Sequence, residues 1–253
     1  MMLQCEPDRV SLVTLDRPPA NALDRGFFDE LIALLDRLSA PDVGAVVVTG
    51  TGRFFSAGLD LFDVFAYPPR AFDEFTERFD AGFGALFALP KPVVAAVNGH
   101  AIAGGAVLAA AADFRLVAEG DGKMGLTEIL LGVPFPVSVL EIVRYACDGP
   151  HLRELLYHGR TYLPEEACAR RLADEVVPAT ELVPRALALA EELAERPPAA
   201  FADTKLGLRA EPLRRLESAR SDGDPAWDIW RSAETRAAVE AYKARTLGAK
   251  GRR

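Results

Sequence analysis

Two glycine-bearing turns and one glutamate are the parts of this sequence best suited to chemistry. Gly104 and Gly105 follow the apolar run at residues 93–97 and precede an alanine-rich tract, a pattern that predicts a buried strand, a turn and a helix. The first N–H groups of a helix lack partners within the helix and lie at the positive end of its dipole. They can therefore stabilise an oxygen that gains negative charge during a reaction.

A second turn of this kind follows the strand-like run at residues 45–49 and leads into residues 54–61. Its N–H groups could point at the same oxygen as those of the first turn. Taken alone, a glycine-rich turn is more often a plain structural turn. The prediction therefore depends on the two turns acting together.

Glu128 is the candidate acid or base. Its neighbours are apolar and include Met124, Leu126 and Ile129. Loss of hydration in such a setting raises the pKa of a carboxyl group and prepares it to exchange protons near neutral pH. The alternative is that the side chain points into solvent at the edge of a turn, and the local sequence favours neither arrangement.

Composition restricts the class of protein. A chain of 253 residues can bury one good core, and we expect an α/β core at residues 1–195 followed by a helical region at 196–253. The net charge of −8 argues against nucleic-acid binding. We expect no export signal, because residues 1–6 have no basic region before an apolar one. No apolar run approaches the roughly 18 residues that span a membrane. Three cysteines without metal-ligand spacing fit a cytoplasmic protein with no metal site.

Hydrophobic periodicity predicts alternating strands and helices, which is typical of crossover units in an α/β fold. A helix with a phenylalanine stripe is predicted at 71–89. Strands are predicted at 9–15, 45–49, 93–97 and 113–118. Further helices are predicted at 150–158, 164–170, 180–195, 199–220 and 232–247.

Three sequence blocks, at residues 55–61, 91–105 and 125–133, resemble the crotonase superfamily, the enoyl-CoA hydratase/isomerase family. The first reads Phe-Ser-Ala-Gly-Leu-Asp-Leu, and the resemblance extends over residues 9–247. It implies a crotonase-like spiral of ββα units whose C-terminal helices build homotrimers, often paired into homohexamers. It also implies an acyl-CoA substrate whose thioester enolate is stabilised by the backbone N–H groups of Leu59 and Gly104.

The resemblance implies coenzyme A contacts as well. Coenzyme A would enter as part of the substrate, with no prosthetic group. Pro19, Ala20 and Ala57 would contact it, and cationic side chains would meet its phosphates. The candidates for these phosphate contacts are Arg17 and Arg53, with Tyr242, Lys243 and Arg245 from the last helix of a neighbouring subunit.

One departure from the family pattern bears on the reaction. Hydratases of the family carry two glutamates, but the first of these positions is Val107 here and the second is Glu128. A single carboxylate can move a proton from one carbon to another and so shift a double bond. Residues 18–21 and 131–135 are also similar to 3,2-enoyl-CoA isomerases, so we expect isomerisation rather than hydration.

Alternatives remain open. Asp60, Asp63 or Glu141 could supply a second acid, although Asp60 is better explained as a cap and Glu141 as facing solvent. His100 is better explained by packing than by catalysis. The phenylalanine stripe could form core or partly line an acyl pocket. A hydratase and a non-catalytic acyl-CoA-binding protein are the competing functions.

Overall fold

The structure is a computed structural model that describes residues 2–6, 8–147 and 149–250, with side chains as far as residue 244. Its strands form two sheets. They are β1 (Leu3–Glu6), β2 (Val10–Leu15), β3 (Ala45–Gly50), β4 (Phe54–Ser56), β5 (Val93–Val97), β6 (His100–Ile102), β7 (Phe114–Ala118), β8 (Met124–Gly125), β9 (Thr161–Tyr162) and β10 (Glu175–Val177).

Helices separate and cover the strands. They are α1 (Arg25–Leu38), α2 (Leu61–Val64), α3 (Pro69–Ala88), α4 (Gly104–Ala110), α5 (Val137–Ala146), α6 (His151–His158), α7 (Pro164–Ala169), α8 (Leu182–Ala194), α9 (Pro198–Leu208), α10 (Ala210–Asp222), α11 (Ala226–Arg231) and α12 (Ala233–Lys250), with a 3₁₀ turn at Glu128–Leu131. In the described ranges, no helix combines the length and the apolar character needed to cross a membrane.

The two sheets share a repeating connection. The larger has the order β1-β2-β3-β5-β7-β10 and the smaller has the order β4-β6-β8-β9. Only β1 is antiparallel to its neighbour in the larger sheet. The chain passes from a strand of the larger sheet to one of the smaller sheet and then to a helix, as in β3-β4-α2 and β5-β6-α4. This is the ββα repeat of the α/β fold that the sequence predicts.

The phenylalanine stripe of α3 packs on α1. The ring of Phe28 lies 5.2 to 6.2 Å, centroid to centroid, from those of Phe75, Phe79 and Phe83. Gly82 permits this approach, because a Cβ there would lie 2.8 Å from Cδ1 of Phe28. The stripe is therefore mainly core.

The predicted single helix at residues 199–220 is wrong, because the structure has two helices, α9 and α10, that meet at Arg209. Pro212 lacks the N–H that would bond to the carbonyl of Leu208 in a continuous helix. The Arg209 side chain turns inward, is 1% exposed and donates to the carbonyl of Phe87 over 2.6 Å. The four helices α9 to α12 follow residue 195, and the division of the chain at that residue stays a prediction.

A buried charge cluster fastens these helices to the rest of the molecule. Arg209 donates to the carbonyls of Ala111 and Ala112 at the end of α4, where a cation is favoured, and pairs with Asp113 at 2.7 Å. Lys205 also pairs with Asp113 at 2.7 Å. Burial lowers the pKa of Lys205 to about 8, although Asp113 opposes the shift. The cluster therefore combines two cations with one shared carboxylate.

We expect Arg209→Met to lower the free energy of unfolding by about 3–5 kcal/mol, because it removes one partner of a buried ion pair and the donor to three buried carbonyls. The matched control is Arg214→Met on α10, where an exposed arginine pairs with Glu211 at 2.7 Å. That change should cost about 0–1 kcal/mol. Urea unfolding measures both values, and equal losses would contradict the structural role of Arg209.

Candidate active site

The two glycine turns lie side by side. Strands β4 and β6 run parallel, with Ser56 opposite Ala101, so their carboxyl ends meet at one edge of the smaller sheet. Gly58 follows β4 and has a φ of +83°; a Cβ there would lie 2.7 Å from the carbonyl oxygen of Ile102 and 2.9 Å from the nitrogen of Gly104. Only glycine permits this approach of the two backbones.

The backbone around both turns is tightly constrained. The Ser56 hydroxyl donates to the carbonyl of Asn21 over 2.7 Å and accepts from the Gly58 N–H over 3.1 Å. A Cβ on Gly105 would lie 2.2 Å from the Ser56 carbonyl oxygen. Ala103, just before α4, has a φ of 52° and a ψ of −124°, a conformation that side chains disfavour and that is concentrated at functional sites.

Leu59 and Gly104, the residues expected to supply the two N–H donors, line the same cavity. Leu23 accepts from Asp60 N–H and donates to the Gly58 carbonyl, both over 2.8 Å. Because successive residues of an extended chain point their N–H groups to opposite sides, the Leu59 N–H faces away from Leu23. A Cβ on Gly104 would lie 3.7 Å from the Leu59 nitrogen. Neither N–H donates a hydrogen bond within the described part of the chain.

Both turns border a small cavity of about 100 Å³. Glu128 lies in its wall, and the remaining walls are mainly apolar. The apolar side chains include those of Leu61, Phe79, Leu131, Phe135, Val139 and Trp230. A thioester carbonyl that reaches the two N–H groups would thus lie in surroundings from which water is largely excluded.

Glu128 takes the inward orientation of the two that the sequence left open. It begins the 3₁₀ turn after β8, and its Oε2 atom is buried without a hydrogen-bond partner in the described structure. Burial raises its pKa to about 7, and hydrogen bonds from the backbone of Thr127 and of Glu128 itself oppose the rise. Such a carboxyl group can both accept and donate a proton near neutral pH.

The pH dependence of activity follows from this pKa. If Glu128 acts as the base, kcat/KM for an enoyl-CoA should rise with pH and level off above a midpoint near 7, because only the ionised form removes a proton. Initial rates at subsaturating substrate between pH 5 and pH 9 measure the midpoint. A midpoint near the ordinary glutamate pKa of about 4.3 would contradict a buried carboxylate as the base.

The same shift predicts a pH-dependent gain in stability for Glu128→Gln. The folded-state pKa is raised, so ionisation of the wild-type residue destabilises the fold as pH rises from about 4.5 to about 7. The variant should therefore be more stable than wild type by up to about 3 kcal/mol at pH 8. Below pH 4.5 the contribution disappears. Urea unfolding at both pH values measures the difference, and a gain independent of pH would contradict this explanation.

Comparison with known proteins assigns the chain to a family. A family model described as enoyl-CoA hydratase/isomerase matches residues 6–243. The chain belongs to the enoyl-CoA hydratase/isomerase family. A relative from Mycobacterium tuberculosis, named probable enoyl-CoA hydratase EchA17, is 36% identical over 219 residues, which cover 83% of this chain and 82% of the relative.

Solved structures of the enoyl-CoA hydratase/isomerase family share the fold. An enoyl-CoA isomerase from Mycobacterium tuberculosis is 30% identical with a TM-score of 0.77, over 86% of this chain and 95% of the other. The human mitochondrial delta3-delta2-enoyl-CoA isomerase aligns over 99% of this chain and 100% of its own, with a TM-score of 0.93 and 24% identity. These likenesses confirm the predicted α/β crotonase-like fold.

The acids that could replace the missing family glutamate are engaged elsewhere. Val107, at the position of that glutamate, is fully buried in α4. Asp60 caps α2 by accepting from the N–H of Phe62 and of Asp63, over 3.2 and 3.3 Å. Arg17 pairs with both aspartates and with Asp24. In the described part of this family member, Glu128 is the one carboxylate that lines the cavity.

Glu141 and His100 also lie outside the cavity lining. The expectation that Glu141 faces solvent is wrong: it is 5% exposed and pairs with Arg144 at 3.2 Å and Arg215 at 3.3 Å. His100 accepts through Nδ1 from the N–H of Lys123 over 3.1 Å. Both residues thus have structural partners.

The predicted coenzyme A contacts lie partly at one edge of the cavity. Ala57 lines the cavity and its N–H donates to the Ala20 carbonyl over 2.9 Å, which brings the exposed Pro19 close to the same edge. Arg53 is exposed and lies 3.8 Å from Asp121. Arg17, held by three carboxylates, is poorly placed to meet a phosphate.

The last helix, α12, lies beside the cavity of its own chain, and its contact with a neighbouring subunit stays a prediction. Tyr242 lines the cavity of its own chain. Lys243 pairs with Glu240 at 2.9 Å and lies 5.4 Å from the ring centre of Phe62. The side chain of Arg245 lies outside the described residues.

Trp230 is the main cavity residue that sequence reasoning missed. It comes from α11, and its Nε1 donates to the carbonyl of Pro134 over 2.8 Å while its ring stacks on Phe65 at 5.8 Å. A signal was present, because Trp227 and Trp230 are one helical turn apart after Pro225. That pattern predicts a short helix with one apolar face.

Proposed function

We propose that this protein binds an acyl-CoA and converts a 3-enoyl-CoA into the 2-enoyl isomer. The observation that carries the proposal is the carboxylate of Glu128, the one carboxylate in the described cavity lining, beside the N–H groups of Leu59 and Gly104, which have no protein acceptor among the described residues. Deprotonation next to a thioester places negative charge on its carbonyl oxygen. Fixed N–H donors stabilise that charge without reorganisation during the reaction.

The proposed reaction has two proton transfers. With the thioester oxygen between the N–H groups of Leu59 and Gly104, Glu128 removes a proton from C2 and the electrons of that C–H bond form a dienolate. Glu128 then returns the proton to C4, and the double bond moves from C3–C4 to C2–C3. No prosthetic group is needed, because the thioester of coenzyme A supplies the electron-accepting group.

Hydration is the second candidate, since the relative EchA17 is named a probable enoyl-CoA hydratase. Adding water requires a base for the water and an acid for the carbon, and Val107 cannot serve as either. One carboxylate suffices for a proton shuttle. The composition of the cavity wall therefore favours isomerisation.

The proposal includes the coenzyme A contacts and the assembly. Pro19, Ala20 and Ala57 would contact coenzyme A, and Arg245 would meet its phosphates. We also propose a homotrimer or homohexamer, because Leu130 and Tyr157 are apolar and 65% and 73% exposed, which is the kind of surface that association covers. Sedimentation analysis of the full chain tests the assembly, and a monomer would contradict it.

Assaying the purified protein with 3-enoyl-CoA and, separately, with 2-enoyl-CoA tests the reaction. We expect 3-enoyl-CoA to give the 2-enoyl isomer, with little 3-hydroxyacyl-CoA from either substrate. Rapid formation of 3-hydroxyacyl-CoA from 2-enoyl-CoA would instead identify a hydratase. Tight binding of both esters without turnover would identify a non-catalytic binding protein.

A further inference from the structure

Behind the cavity lies a partly buried carboxylate that the proposed reaction does not use. Asp80 on α3 accepts through Oδ1 from the hydroxyl of Ser138 on α5 over 2.6 Å. Through Oδ2 it accepts from Nε1 of Trp227 on α11 over 3.1 Å. One carboxylate therefore joins three helices that are distant in sequence.

Each of these three residues is next to a residue of the cavity wall. Phe79 precedes Asp80, Val139 follows Ser138, and Trp230 is one helical turn after Trp227. All three wall residues are buried, with Phe79 and Trp230 each 2% exposed and Val139 3% exposed, and we take them as the closed end of the cavity.

The wall residue Tyr242, in contrast, is 39% exposed, so the cavity opens on its side. An acyl chain that enters from the open side and places its thioester at the two N–H groups would extend toward the closed end. The position of Phe79, Val139 and Trp230 then determines how long a chain fits.

We propose that Asp80 is a positioning residue that fixes the closed end of the cavity and thereby restricts the enzyme to short acyl chains. This inference rests on the proposed function, because it takes the cavity as an acyl site. Apolar contacts are not directional, so α3, α5 and α11 could shift relative to one another if packing alone held them. The two hydrogen bonds of Asp80 fix their spacing. The cavity, at about 100 Å³, is also small beside the roughly 300–1,000 Å³ of drug-sized pockets.

The energetics of Asp80 agree with a positioning role. Burial raises its pKa to about 6, and the hydrogen bonds from Ser138 and Trp227 oppose the rise. Asp224 adds repulsion, and Arg220 adds a weaker attraction. No salt bridge to Asp80 is present within the described residues. Because this carboxylate is desolvated and has no ion-pair partner there, the two hydrogen bonds are what stabilise it in its position.

Three variants test the proposal. Asp80→Asn and Ser138→Ala weaken the hydrogen bonds with little change in volume, whereas Trp227→Phe removes the indole donor but also leaves a smaller ring at a buried position. The control is Glu77→Gln, at an exposed position of the same helix. The measurement is kcat/KM for a series of enoyl-CoA esters of increasing chain length. We expect the ratio for a long ester over a short ester to rise about tenfold in all three variants, and not in the control.

The rise in this ratio should come mainly from a lower KM for the long ester, because Glu128 and the two N–H groups are unchanged. A general loss of structure would instead lower kcat for all esters alike. An unchanged length ratio in folded Ser138→Ala would overturn the proposal, even if Asp80→Asn failed to fold. If wild type turns over no ester, the proposed function fails. Calorimetric binding of saturated short and long acyl-CoA esters then tests the inference separately. A rise in the affinity for the long ester relative to the short ester in the variants would support it, and an unchanged relative affinity would overturn it.

Discussion

Replacing Glu128 by glutamine should lower kcat for isomerisation of a 3-enoyl-CoA by about 10²–10⁴-fold, the usual range for a general acid or base. Glutamine keeps the shape of the side chain but cannot take up the proton from C2. Binding of the substrate should change little, because the apolar wall and the two N–H groups are unaltered. Steady-state rates and calorimetric binding of an unreactive acyl-CoA measure the two effects.

The control for this experiment is Asp60→Asn. Asp60 caps α2 and pairs with Arg17 outside the cavity lining. We expect its substitution to leave most of the activity. Undiminished turnover in Glu128→Gln would remove Glu128 from the mechanism, and a large loss in Asp60→Asn would suggest a recruited second acid.

The second large effect should come from Gly104→Pro, which removes one of the two proposed N–H donors. Loss of a single oxyanion donor typically lowers kcat by about 10²–10³-fold. Proline is tolerated in the first turn of a helix, and Gly104 is the first residue of α4. The variant should therefore stay folded, which thermal unfolding checks, while its kcat falls.

Gly104→Ala is the matched variant because it keeps the N–H group. A Cβ at this position would lie 3.5 Å from its nearest neighbours, Cα of Gly58 and Cδ1 of Leu23, which is ordinary contact. We expect it to lose much less activity than Gly104→Pro. Equal losses would indicate crowding rather than a missing donor.

The parts of the site that the sequence predicted depend on residues that are close together in the chain. The turns at Gly58 and Gly104 come shortly after the continuous apolar runs at residues 45–48 and 93–97, and the apolar neighbours of Glu128 lie within a few positions of it. Close backbone approach and burial of the carboxylate follow from these patterns. Their meeting depends on the parallel pairing of β4 with β6, two short strands that were not predicted.

The parts that were missed or wrong depend on distant contacts. Arg215, the partner that holds the buried Glu141, is 74 positions away, so the local helical pattern gave no reason to place that carboxylate inside. Trp230 and Tyr242 reach the cavity only because α11 and α12 pack against it. Strand β4 has three residues and β8 has two, too few to show a period in sequence.

The most direct test of the account follows the proton itself. A 3-enoyl-CoA deuterated at C2 is converted by the protein, and mass spectrometry or NMR locates the label in the earliest product. If Glu128 both removes and returns the proton, deuterium should appear at C4 of the 2-enoyl product, and Glu128→Gln should form almost none of it. A 2-enoyl product without deuterium at C4 from the earliest times, or a product hydroxylated at C3, would contradict a single carboxylate that moves the proton.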